Sequence, residues 1–286
     1  TGKTTTVVRL LALLQTPAVE AGKPLRIRLA APTGKAAARL TESIGRQVGA
    51  LPVDDAVRDA TPTEVSTLHR LLGSLPDSRH FRHHAGNPLA LDVLVVDEAS
   101  MIDLEMMANV LAALPPQARL VLLGDKDQLA SVEAGAVLGD LCRRADAGCY
   151  SAATVDWLQQ VSGQSLAESG LQPGDETTHL LEQQTAMLRH SHRFGADSGI
   201  GELARAVNRC DATAARDLLQ RGQFADIHSR RLPDLRDPGF AALVLGSEDG
   251  LLGYGAYLST LQAQRPGADA MADDPCWQAW AGDVLR

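Results

Sequence analysis

Val93-Leu94-Val95-Val96, followed directly by Asp97-Glu98, is the feature that most limits how this chain can fold. A run of aliphatic residues with no polar face must be covered on both sides. That is the condition of a strand inside a parallel sheet flanked by helices. The two carboxylates cannot enter such a core, so they belong at the carboxyl edge of the sheet, where open α/β sheets bind ligands. Neighbouring segments continue the alternation. Thr4 to Gln15 reads as a helix with Val7, Leu10, Leu11 and Leu14 on one face. Leu25 to Ala31 reads as a strand stopped at Pro32, and Lys35 to Leu51 as a helix striped by Leu40, Ile44, Val48 and Leu51. Val65 to Leu72 reads as a short helix, Leu104 to Leu114 as a helix closed by Pro115-Pro116, and Leu120 to Gly124 as another buried strand. Strands separated by helices predict an α/β protein with a doubly wound parallel sheet.

Composition narrows the function classes. Aromatics make up only 3% of the chain, which disfavours an all-β fold. With 286 residues, 45% of them hydrophobic, one or two sizeable cores can be buried. The net charge of −8 argues against a free-standing basic nucleic-acid binder. Its distribution is uneven, however: Lys23, Arg26, Arg28, Lys35, Arg39 and Arg46 face one acid, Glu42, within the same stretch, and Arg79 to His84 forms a second basic cluster. A protein that holds a strand in a cleft needs only such a local lining. Cys142, Cys149, Cys210 and Cys276 form no CxxC pair and read as reduced thiols of a cytoplasmic protein. No signal peptide or long apolar run suggests secretion or a membrane.

Four motifs carry chemistry. Gly2-Lys3-Thr4 opens a predicted helix, as the end of a P-loop does. There the Lys reaches the β/γ-phosphates and the Thr hydroxyl holds Mg²⁺, although the tripeptide alone also suits a plain turn. Asp97 at the end of its strand is placed to hold Mg²⁺, and Glu98 to act as general base for an attacking water. Gly124-Asp125-Lys126-Asp127-Gln128 ends a second buried strand at the same edge, and Gln128 suits sensing of the γ-phosphate and that water. In Ala31-Pro32-Thr33-Gly34-Lys35, Thr33, the backbone N–H groups and Lys35 form a phosphate site at a helix start. With ATP assigned to the first motif, a second phosphate site points to a nucleic-acid backbone, while a simple N-cap with an exposed Lys is the plainer alternative.

These motifs, with Ser66-Thr67-Leu68-His69-Arg70-Leu71-Leu72 and the extended Asp97-Glu98-Ala99-Ser100-Met101-Ile102-Asp103, resemble motifs I, Ia, Ib, II and III of superfamily 1 helicases. Ser191-His192-Arg193-Phe194, Ser198 to Gly201 and Ser131 to Leu141 further resemble the RecD subgroup. The resemblance covers about residues 1 to 222. It implies a RecA-like P-loop NTPase lobe plus the start of a second RecA-like lobe, with ATP and Mg²⁺ between them. It also implies 5′→3′ translocation on single-stranded DNA from double-stranded ends. RecB and RecC are the implied partners, and double-strand-break repair the implied role. Gly2, Lys3, Thr4 and Thr5 would bind nucleotide, and Thr4 and Asp97 the metal. Glu98, Gln128 and Arg193 would be catalytic, with Arg193 reaching the γ-phosphate, and Thr33, Lys35 and His69 would meet DNA.

The expected organisation is an ATPase lobe over 1–144, an insertion or connector over 145–184 and a partial second lobe over 185–286. The chain reads as beginning inside the P-loop and stopping before the later helicase motifs, so it is expected to be incomplete as a motor. Two other readings stay open: a free-standing RecD-like helicase, and a P-loop switch that controls partners without translocating. The plainer assignments are a solvated hairpin for Arg79 to His84, core or lobe-interface positions for Met101, Met106 and Met107, and core or partner contacts for Trp157, Trp277 and Trp280.

Overall fold

The computed structural model describes residues 2–126, 137–145, 148–165, 174, 180–189, 194–195, 197–229, 234, 237–246, 254–267 and 275–284. The chain divides into two compact units, Thr1–Ala196 and Asp197–Arg286.

The first unit is built on a parallel sheet in the order β2-β1-β3-β4, with β1 at Ile27–Ala31, β2 at Val65–Thr67, β3 at Val93–Val96 and β4 at Arg119–Leu122. All four residues of β3 are buried, as an apolar run without a polar face requires. Its alternation divides the core. Val93 and Val95 join Val7, Val8 and Leu11 of α1 (Lys3–Glu20) and Leu40, Ile44 and Val48 of α2 (Gly34–Gly49). Leu94 and Val96 join Leu68 and Leu72 of α4 (Leu68–Leu72) and Met107 and Val110 of α5 (Leu104–Ala113). The sheet is therefore doubly covered, as predicted, and the short α3 (Asp55–Ala60) packs against α1.

Two local readings need correction. Val65 to Leu72 is not one helix: Val65, Ser66 and Thr67 pair with Leu29, Ala30 and Ala31 of β1, and the helix begins only at Leu68. The β-branched ends of Val65-Ser66-Thr67 suit a strand. Thr67 then caps α4 by accepting a hydrogen bond from the Arg70 N–H at 3.2 Å. The buried stripe of α1 is also rotated from the one predicted. Val7, Val8, Leu11, Ala12 and Gln15 are buried, while Leu10 and Leu14 are half-buried, and the helix continues through Pro17 to Glu20.

Gln15 is fully buried yet satisfied. Its amide donates to the Leu25 and Ala60 carbonyls at 3.2 and 2.7 Å and accepts from the Leu25 N–H at 2.8 Å. One polar side chain thereby ties α1 to the entry of β1 and the end of α3. An apolar residue there would strand these backbone groups, at about 1–3 kcal/mol each where buried.

The opposite, amino edge of the sheet carries a bidentate ion pair. The Arg26 guanidinium lies 3.0 and 2.8 Å from the two Asp92 oxygens, and the Arg26 N–H donates to Asp92 at 2.8 Å. The guanidinium hydrogen bond, helped by that backbone N–H, holds the Asp92 carboxyl at about 2, below its ordinary 3.8. A depressed folded-state value stabilises the fold above pH 3.8, and the contribution is lost as pH falls toward 2. Both side chains are more than a third exposed, so the effect is small and screened by salt. Asp92→Asn should flatten the slope of stability against pH between about 4 and 2, read from denaturant melts. An unchanged slope would mean the pair contributes nothing.

Beyond α6 (Val137–Leu141), the predicted connector contains α7 (Ala152–Ser162) and α8 (Leu180–Gln183). None of the α7 side chains is buried, so no apolar stripe announced the helix. Its ends were readable: Ser151 accepts from the Thr154 N–H, and Gly163 ends the helix in the left-handed region at φ 70°. Gln183 joins the segment together by accepting from the Ser151 N–H at 2.8 Å and donating to the Cys149 carbonyl at 3.1 Å. No disulfide joins the four cysteines among the described residues.

The second unit has helices α9 (Gly199–Asn208), α10 (Ala212–Arg221), α11 (Pro238–Leu245), α12 (Tyr254–Ala263) and α13 (Pro275–Val284), and no strand among its described residues. Asp226 fixes the start of α9, accepting from the Ser198 hydroxyl at 2.7 Å and from the Gly199 and Ile200 N–H groups at 2.8 and 3.2 Å. The Ser198 hydrogen bond is the main reason its carboxyl sits below the ordinary range. A Cβ at Gly199 would lie 2.5 Å from the Phe224 Cβ, so only glycine fits beneath that ring. Trp280 donates to the Leu261 carbonyl at 3.1 Å and stacks edge-on against Trp277, so α12 and α13 are packed together. No described helix is long and apolar enough to cross a membrane.

Candidate nucleotide-binding site

Parallel register brings the strand tips to one edge. Ala30 pairs with Val96 and Val96 with Leu122, so the segments after β1, β3 and β4 emerge side by side. Strands are added on one side of β1 and then on the other, which makes the β1/β3 junction a topological switch point.

The turn after β3 is held from both sides. The Asp97 N–H donates to the Ala30 carbonyl at 2.9 Å, the Leu123 N–H to Val96 at 2.8 Å and the Ala99 N–H to Leu123 at 2.8 Å. Between these bonds Glu98 adopts a left-handed backbone, φ 52° and ψ 38°. For a residue with a Cβ that conformation costs about 1–2 kcal/mol and persists only where surrounding bonds enforce it. A 3₁₀ turn, Ala99–Met101, follows. Gly124 lies directly against this turn. A Cβ there would sit 3.1 Å from the Ser100 nitrogen and would collide with the Leu138 side chain.

The start of α1 meets the same edge. Gly2 precedes the helix at φ 96°, and the first turn contains no acidic residue to offset the positive end of the helix dipole. Lys3 Nζ lies 3.9 Å from Glu98 Oε2, with both side chains about one-third exposed. Thr4 is half-buried, and Thr5 is exposed. Asp97 Oδ1 is buried with no hydrogen-bond partner among the described residues, and so is the hydroxyl of Ser100, whose residue is 7% exposed. The fold thus gathers Lys3, Asp97 and Glu98. Gln128 and Arg193 lie outside the described residues. Ser100, quoted only as part of a motif, is the buried polar group that sequence reasoning left without a role; its signal was a hydroxyl three residues beyond a strand-tip carboxylate.

The residues expected to meet DNA lie at the tips of β1 and β2. Thr33 accepts from the Ala36 N–H at 3.2 Å, so its hydroxyl serves as an N-cap, and Lys35 is exposed on the first turn of α2. His69 is exposed, with its ring 5.9 Å from the Phe81 ring. Arg39, already counted in the basic stretch, and Arg70, quoted only within a motif, are also exposed. Arg79 to His84 does form an antiparallel excursion, bridged by Ser74–Phe81 and His84–Asn87. No group of three or more His, Cys, Asp or Glu suited to a metal occurs among the described residues. A cavity of about 540 Å³ lies elsewhere, lined by Leu104, Leu141, Arg144, Cys149 and Glu182 among others.

Sheet order, the Gly-Lys-Thr helix start and the strand-tip carboxylates define the first unit as a RecA-like P-loop NTPase lobe. An AAA-domain family matches residues 1–134. The chain is 48% identical over 241 residues to the RecBCD enzyme subunit RecD of Mycolicibacterium smegmatis, covering 83% of this chain and 37% of that protein. It is 44% identical over 223 residues to the same subunit of Haemophilus influenzae, covering 76% of this chain and 33% of that protein. With the ATP-dependent RecD2 DNA helicase of Deinococcus radiodurans it shares 41% over 145 residues, which is 51% of this chain and 17% of that one. Over most of its length the chain is similar to RecD subunits, and it spans about a third of the length of the RecD relatives it matches.

Proposed function

We propose that this chain supplies the ATP-hydrolysing part of a 5′→3′ DNA translocase, working as the RecD-type subunit of a RecBCD assembly on double-stranded DNA ends. The observation that carries the reading is the meeting of Lys3 with Glu98, 3.9 Å apart, beside a buried Asp97 oxygen that has no partner among the described residues. A cation, a carboxylate base and an orphaned carboxylate oxygen at one sheet edge are the donor set that a nucleoside triphosphate with a divalent cation needs.

The residues fit Mg²⁺. Asp97 brings a carboxylate to the strand tip, with one oxygen that has no partner among the described residues, and Thr4 stands in the first turn of α1. When bound, that ion neutralises charge on the β- and γ-phosphates. The N–H groups of Lys3, Thr4 and Thr5 hold phosphate oxygens, and Lys3 exchanges the Glu98 carboxylate for the β/γ-phosphates. Glu98, released, accepts the proton of the attacking water. Gln128 orients that water, and Arg193 stabilises the charge of the transferring phosphoryl group. Thr33, Lys35 and His69, joined by Arg39 and Arg70, follow the DNA backbone along the tips of β1 and β2.

In the full-length protein, ATP hydrolysis should rise several-fold on adding single-stranded DNA, about the size expected when a bound strand completes a catalytic arrangement. Equal rates with and without DNA would reject the motor reading in favour of a P-loop switch.

A further inference from the structure

We propose that Ser100 is a positioning residue for the metal-binding carboxylate: its hydroxyl donates to the free oxygen of Asp97 once a divalent cation is held there. The inference rests on the nucleotide-binding reading and adds a residue to it. A carboxylate that ligates a metal through one oxygen is normally steadied by a hydrogen bond to the other. Among the described residues no side chain donates to Asp97, and its Oδ1 is buried without a partner there. The nearest unused donor along the chain is Ser100, at the far side of the tight turn through Glu98 and Ala99. Its hydroxyl is buried, has no partner among the described residues and belongs to a residue only 7% exposed.

Two orphaned polar groups in one turn would be a poor arrangement for a purely structural strand end. A buried hydroxyl without a partner is destabilising, and alanine would fill the same space without that penalty. The turn itself is fixed independently of either side chain, by Ala99 N–H to Leu123, Met101 N–H to Glu98 and the close approach of Gly124 to the Ser100 nitrogen. Loss of the hydroxyl therefore leaves the backbone in place and acts through Asp97 alone.

The test is a Mg²⁺ titration of the thermal stabilisation given by a non-hydrolysable ATP analogue to the full-length protein. Ser100→Ala should raise the half-effective Mg²⁺ concentration about 10- to 100-fold, the usual cost of losing a ligand's outer partner. Its melting temperature without nucleotide should be equal to or above wild type, and analogue affinity in EDTA should be unchanged. Ser100→Thr, which keeps the hydroxyl, should restore the Mg²⁺ midpoint. If the alanine variant does not fold, Ser100→Cys, with a weaker donor of similar size, should raise the midpoint instead. An unchanged midpoint in a folded Ala or Cys variant, beside a responsive wild type, overturns the role of Ser100 alone. A wild type whose analogue binding ignores Mg²⁺ overturns it together with the nucleotide reading.

Discussion

Lys3→Ala should lower ATP turnover about 10²–10³-fold, the loss usual for one preorganised charge on a transition state, while the lobe stays folded. Lys3 stands at the first position of α1, with a side chain 30% exposed, and the buried contacts of that helix begin further on, at Val7. Its ion pair with Glu98 is long at 3.9 Å and partly solvated, so its loss should cost no more than about 1 kcal/mol of stability. Turnover should fall in kcat more than in analogue binding, because the lysine is asked to follow charge that grows on the phosphoryl group. Steady-state kinetics with saturating single-stranded DNA, together with a thermal melt, separate the two. A folded Lys3→Ala protein turning over at the wild-type rate would remove the P-loop assignment.

The second large effect belongs to Glu98. Glu98→Gln removes the proton acceptor while keeping size and hydrogen-bonding capacity, and should lower hydrolysis about 10²–10⁴-fold, the range of general-base catalysis. Nucleotide binding should survive or tighten, since a neutral amide no longer competes for Lys3. The backbone of residue 98 is left-handed at φ 52°, a region glutamine tolerates no worse than glutamate, so the turn should hold. Single-turnover hydrolysis beside equilibrium binding of the same nucleotide is the measurement. Loss of binding equal to the loss of rate would make Glu98 a binding residue and leave the base unassigned.

Much of the first unit was legible because its signals are local and redundant. The stripe Leu40, Ile44, Val48 and Leu51 is buried as read, since helical period alone selects that face. β3 was legible because four aliphatic residues in succession have no solvated face to offer. The errors fall where tertiary contacts override local preference. Val65 to Thr67 becomes a strand because β1 offers a pairing edge there, and Gln15 replaces Leu14 as a buried position of α1 because the Leu25 and Ala60 backbone groups need a partner. The helix α7 escaped notice because it buries none of its side chains.

The sequence by itself determined the chemistry available: a Gly-Lys-Thr helix start, a carboxylate pair closing an apolar strand, and the family these residues resemble. Those follow from residue type and spacing along a single chain. Only the tertiary structure decided that Lys3 reaches Glu98, that the Asp97 oxygen and the Ser100 hydroxyl are both enclosed without partners among the described residues, and that Gly124 closes over their turn. Those facts depend on the order β2-β1-β3-β4, in which distant segments become neighbours through strand pairing, and pairing order is not written in the period of any one segment.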